Sequence, residues 1–100
     1  MSQRASVNEL AVDPIVSALR DEIAALDVSL IGTVNARIKL VEKLHRYKAH
    51  HGIPVLDPSR EAWLLEYLKG QNPGPLSDEG LAELFAFVLA LVKREAVARD

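Results

Sequence analysis

The chain of 100 residues contains no cysteine, which excludes disulfides, thiolate nucleophiles and cysteine-bound metals. It also lacks any block of like charge. Its 12 Lys and Arg are interleaved with 14 Asp and Glu for a net charge of -2, so it has neither the basic footprint of a nucleic-acid binder nor that of a membrane-surface binder. An anionic small molecule held by a few cations stays open. No uncharged apolar run reaches the roughly 20 residues of a membrane span, and the N-terminus lacks a signal-peptide core. The expectation is therefore a cytoplasmic protein. There is no phosphate-cradling glycine loop, nucleophile elbow or His-Glu-x-x-His zinc motif. Alternating strand patterns, internal repeats and low-complexity tracts are absent too. With 49% hydrophobic and 26% charged residues, the composition is that of one small globular domain, and the fold class expected is all-α.

Helix breakers are scarce where they matter. No proline occurs between Pro14 and Pro54, and the only glycine before Gly52 is Gly32. Asp13 can cap a helix whose first turn suits Pro14, because the missing N-H is unsatisfied there anyway. From Ile15 through Leu19, Ile23, Leu26, Leu30, Val34, Ile38, Val41 and Leu44, apolar residues recur every three or four positions. The pattern predicts one helix of about 38 residues, roughly 55 Å long, in a chain whose compact radius of gyration is about 13 Å. A single chain cannot cover such a stripe, so either a partner chain buries it or the helix breaks. Gly32 is its weak point, read as a tolerated defect or as the place where another helix backbone approaches. Residues 1–12 lack periodicity and are expected to form a flexible tail, leaving 13–100 as the domain.

Gly52 suits the left-handed position after the helix, and Pro54 blocks continuation. Asp57 then caps a second helix starting at Pro58, with Trp63, Leu64, Tyr67 and Leu68 as its inner stripe and Gly70 as its expected end. Residues 71–76 read as a loop. Ser77 caps a third helix, Asp78 and Glu79 favour its positive end, and Leu81, Leu84, Phe85, Val88, Leu89 and Val92 form its inner face. Trp63, Tyr67 and Phe85 are expected in the core.

Some polar residues fit this scheme less simply. Arg37 and Lys48, eleven residues apart, return to nearly the same side of the first helix at about 100° per residue. They are either two solvated side chains with apolar stems or a paired cationic site. Arg20 points elsewhere in one straight helix, but in an antiparallel pair it could approach Arg37 and Lys48 of the other chain. Asp57, Arg60 and Glu61 cluster at the second helix start, as a cap with surface charges or as part of a site. His45, His50 and His51 have no convincing metal-ligand spacing, and His50 and His51 are expected at the negative end of the first helix.

Taken in order, Leu19-Arg20-Asp21-Glu22-Ile23-Ala24-Ala25-Leu26-Asp27, Arg37, Arg46-Tyr47-Lys48 and Val55-Leu56-Asp57-Pro58-Ser59-Arg60-Glu61 resemble the all-helical (AroQ) class of chorismate mutases. The likeness runs without a gap from Leu19 to about Leu68, and Pro75-Leu76-Ser77-Asp78-Glu79 with Leu84-Phe85 is similar as well. The resemblance implies three helices in an intertwined, domain-swapped homodimer with two sites, no cofactor and no metal. It implies that Arg20 of the partner and Arg37 clamp the carboxylates of chorismate, with Arg60 orienting them or the neighbouring side chains. Lys48 would bond the ether oxygen and an adjacent carboxylate, while Asp57 and Glu61 would hold the ring hydroxyl. Lys48, Arg37 and Glu61 are thus the catalytic candidates for a [3,3] rearrangement to prephenate, in the shikimate-pathway branch to phenylalanine and tyrosine.

The last helix departs from the family pattern. The usual small polar residue falls at Val92, and the Gln or Glu that donates to the ether oxygen falls at Ala96. A one-residue shift would bring Glu95 into play, though the apolar stripe favours the first register; Arg94, Arg99 or a water are other compensations. An activating partner from the start of the shikimate pathway is another. Two further functions stand beside the first: a mutase for 4-amino-4-deoxychorismate, or a non-catalytic helical dimer regulating a pathway enzyme. Asp57 and Glu61 follow the mutase pattern rather than that of isochorismate pyruvate lyase. Retention of Arg20, Arg37, Lys48 and Arg60 weighs against the non-catalytic reading, since a dimerisation module has no use for buried unpaired cations.

Overall fold

The computed structural model describes residues 13–97, and all regular secondary structure among them is helical. The expected tail at 1–12 and Arg99 lie outside the described residues. Helix α1 spans Pro14–His50, α2 Pro58–Gln71 and α3 Asp78–Val97. The chain divides into two compact units, the first ending at Asn35 and the second beginning at Ala36.

The first unit contains the N-terminal part of α1. Its start is built as the Asp-Pro pair predicts: the Asp13 carboxylate accepts from the Ile15 amide at 2.7 Å. The helix passes through Gly32 without interruption, and the neighbouring Thr33 hydroxyl donates to the Ser29 carbonyl one turn back at 3.1 Å. Among the described residues, nothing beyond the helix's own adjacent backbone lies within 4 Å of where a Cβ at Gly32 would stand. Leu19, Ile23, Leu26 and Leu30 are all more than half exposed, and no residue of α1 is fully buried. Each such side chain forgoes roughly 1.5–3 kcal/mol of burial. The stripe predicted from the periodicity exists, and within the described part of its own unit it is exposed.

In the second unit α1 ends as its sequence requires. Gly52 takes φ +66°, and the Ile53 amide donates to the Lys48 carbonyl at 2.9 Å, the six-residue closure that uses a left-handed glycine. The rings of His50 and His51 meet the carbonyls of Arg46 and Tyr47, both at 2.9 Å, so these histidines serve the helix end. Helix α2 runs past Gly70 to Gln71, one residue further than expected. Gly70 keeps a negative φ and so does not stop the helix. The stop comes from Asn72, extended at ψ 113° ahead of Pro73, whose amide donates to the Leu76 carbonyl while its oxygen accepts from Gly74 N-H. Ser77 opens α3, its hydroxyl oxygen accepting from the Gly80 amide at 3.0 Å.

Helix α2 packs on α3. The buried core among the described residues is thin: Leu81, Val92 and Ala96, all on α3. Trp63 and Tyr67, expected inside, are each 48% exposed and stack on one another with ring centroids 4.9 Å apart. Phe85 is partly covered rather than buried. The reason is size: two short helices and one helix end present more apolar surface than they can bury among themselves.

Candidate functional site

One concave cavity of about 410 Å³ lies within the second unit, a volume typical of small-molecule sites. Each helix contributes to its wall. Along α1, Arg37, Val41, Leu44, His45 and Lys48 fall four, three, one and three residues apart and so share a face. The segment leading into α2 adds Val55, Leu56 and Asp57, and the first two turns of α2 add Arg60, Glu61 and Leu64. Helix α3 supplies Leu89, Val92 and Lys93.

The polar groups are oriented by their own backbone. Lys48 is half-covered, and its ammonium donates to the Val55 carbonyl at 3.4 Å, which ties it to the segment after α1. Asp57 is the N-cap of α2: one carboxylate oxygen accepts from the Ser59 hydroxyl at 2.8 Å and from the Arg60 amide at 3.2 Å. The Ser59 hydrogen bond first, then the Arg60 amide, then the charges of Lys48 and Arg60 outweigh a slight desolvation and hold this carboxyl below its ordinary value of 3.8. The Arg60 guanidinium sits 4.1 Å over the Trp63 ring, so stacking fixes the plane of its donors. Glu61 forms an ion pair with Lys93 across the gap between α2 and α3, at 3.3 Å.

Five of the six residues singled out from the sequence, Arg37, Lys48, Asp57, Arg60 and Glu61, thus border a single cavity. The sixth, Arg20, belongs to the first unit, is exposed, and is not among the lining residues. On α3, Val92 lines the cavity while Glu95 and Ala96 do not; Glu95 pairs with Arg94 at 3.4 Å, and Ala96 is buried. His45 and Lys93 are cavity residues that the sequence reading missed. His45 carried a spacing signal, eight residues after Arg37; Lys93, four after Leu89, shares a face with it but reads equally well as a solvated lysine. Among the described residues no group of His, Asp and Glu is arranged to hold a metal, and no helix is long and apolar enough to cross a membrane.

A cavity with four cationic side chains, two carboxylates and an apolar remainder can bind a compact dicarboxylate, fix its conformation and stabilise negative charge. The family model for chorismate mutase type II matches residues 19–97. A 4-amino-4-deoxychorismate mutase from Streptomyces venezuelae is 39% identical over 67 residues, covering 67% of this chain and 61% of that protein. A bifunctional chorismate mutase/prephenate dehydratase from Pseudomonas aeruginosa is 32% identical over 80 residues, 75% of this chain and 22% of that protein. The chain thus spans less than two thirds of the length of these relatives. Among solved structures, chorismate mutase (form II) from Thermus thermophilus superposes with a TM-score of 0.79 at 30% identity, over 85% of this chain and 97% of that one.

Proposed function

The chain belongs to the chorismate mutase type II family, and on that premise we propose that it converts chorismate to prephenate. The observation that carries the proposal is the convergence of Arg37, Lys48, Arg60, Asp57 and Glu61 on one cavity in the order the family resemblance requires. The reaction is an intramolecular [3,3] rearrangement. It needs no nucleophile, general base or metal, only a compact chair-like conformer and compensation of charge that builds as the C-O bond lengthens. Arg37 binds a substrate carboxylate through its planar fork. Arg60, held against Trp63, orients that carboxylate. Lys48 reaches the ether oxygen, where its charge is worth more as the bond breaks than before. Asp57 and Glu61 flank the ring hydroxyl, whose single O-H donates to one of the two carboxylates.

The same proposal includes a swapped homodimer. The uncovered stripe of α1 is the face that pairs, and pairing brings the partner's Arg20 to the second carboxylate. Cytoplasmic location in the shikimate pathway, and activation by another enzyme of that pathway, belong to the proposal as well; relatives that fuse the mutase with prephenate dehydratase support the idea of a neighbouring enzyme. The likeness to the Streptomyces enzyme favours a second reading, in which the substrate carries an amine at C4.

The test is incubation of the purified protein with chorismate and, separately, 4-amino-4-deoxychorismate, with products identified by NMR. Prephenate formation is the expected result. Turnover of the amine alone would select the second reading, and turnover of neither would contradict both.

A further inference from the structure

We propose that Lys93 is the residue that sets substrate choice at the C4 position, favouring a hydroxyl over an amine; this rests on the mutase reading of the cavity. Glu61 is one of two carboxylates there, and Lys93 holds its Oε2 at 3.3 Å with both side chains partly covered, 44% and 47% exposed. The other carboxylate, Asp57, spends one oxygen on the Ser59 hydroxyl and the Arg60 amide. A neutral hydroxyl needs only one acceptor lone pair from such a site, and each carboxylate keeps one. A protonated amine needs uncompensated negative charge, and Lys93 removes it by neutralising Glu61 and repelling a second cation.

Charge bears on the same choice. This chain lines the cavity with Arg37, Lys48, Arg60 and Lys93 against Asp57 and Glu61, and the proposed dimer adds the partner's Arg20, so the site favours a dianion with a neutral C4 group over one whose C4 ammonium adds a positive charge, and loss of Lys93 weakens that bias. Lys93 is also the sole charged side chain that α3 presents to the cavity, beside Leu89 and Val92. It acts on the substrate through Glu61 and is a positioning residue rather than a catalytic one.

The experiment compares kcat/KM for chorismate and 4-amino-4-deoxychorismate in the wild-type protein, Lys93→Gln and Lys93→Arg. The wild type is expected to prefer chorismate, Lys93→Gln to shift the ratio at least tenfold toward the amine, and Lys93→Arg to keep the wild-type preference. Should Lys93→Gln fold poorly, Lys93→Met keeps the apolar stem and carries the same expectation. A wild type that prefers the amine, or a ratio that moves less than about threefold in the charge-removing variant, overturns the assignment and leaves the mutase reading standing. A wild type that turns over neither substrate overturns the mutase reading, and the role of Lys93 with it.

Discussion

At the scale of single residues, the site is a set of charges whose directions are fixed by short-range bonds. Lys48 is the clearest case: Val55 holds its ammonium, and the chemistry assigned to it is electrostatic. Lys48→Ala is expected to lower kcat by about 10²–10³-fold with a smaller change in KM; steady-state kinetics within a few-fold of wild type would remove it from the mechanism. Asp57 gives a pH-dependent consequence. Its folded value lies below 3.8, so its contribution to stability is complete above that pH and is lost as the pH falls further through the folded value. The gap in urea midpoint between wild type and Asp57→Asn is expected to be wide at pH 6 and to narrow at pH 3. Spacing put Arg37 with Lys48 and Asp57 with Glu61 on shared helix faces but left them open between solvated charges and a site; the family resemblance is what singled them out. Lys93 was not singled out, since a lysine beside an apolar stripe reads equally well as a solvated residue. Only the arrangement of α2 against α3 puts it opposite Glu61.

At the scale of elements, the ends of the helices follow from a few residues. The Asp13-Pro14, Asp57-Pro58 and Ser77 starts and the left-handed Gly52 could be read from the sequence, because each uses a cap whose chemistry is local. The end of α2 could not, because Gly70 has the composition of a stop without the backbone angle of one. The half-exposed Trp63 and Tyr67 also escaped the sequence reading, since periodicity identifies a face and not what covers it. Ser77→Ala is expected to cost about 1 kcal/mol through loss of the cap on Gly80 N-H, measurable by chemical denaturation. Gly32→Ala is expected to stabilise the chain by about 1 kcal/mol, because among the described residues nothing beyond the helix's own adjacent backbone stands near the new methyl. Destabilisation in the same measurement would mean that a partner's backbone packs there.

For the whole molecule, the exposed stripe of Leu19, Ile23, Leu26 and Leu30 is the dominant fact. Five apolar side chains with Ile15 are more than a small chain leaves in water without a use, and in the proposed dimer that use also delivers Arg20. The dimer therefore links stability and catalysis, and the two can be separated by complementation. Chains carrying Arg20→Ala and chains carrying Lys48→Ala are each expected to be nearly inactive on chorismate. Refolded together, half of the dimers are mixed, and each mixed dimer holds one site in which Lys48 of one chain meets Arg20 of the other, so the mixture is expected to recover about a quarter of wild-type activity. A mixture no more active than the average of its two parents would contradict the shared site.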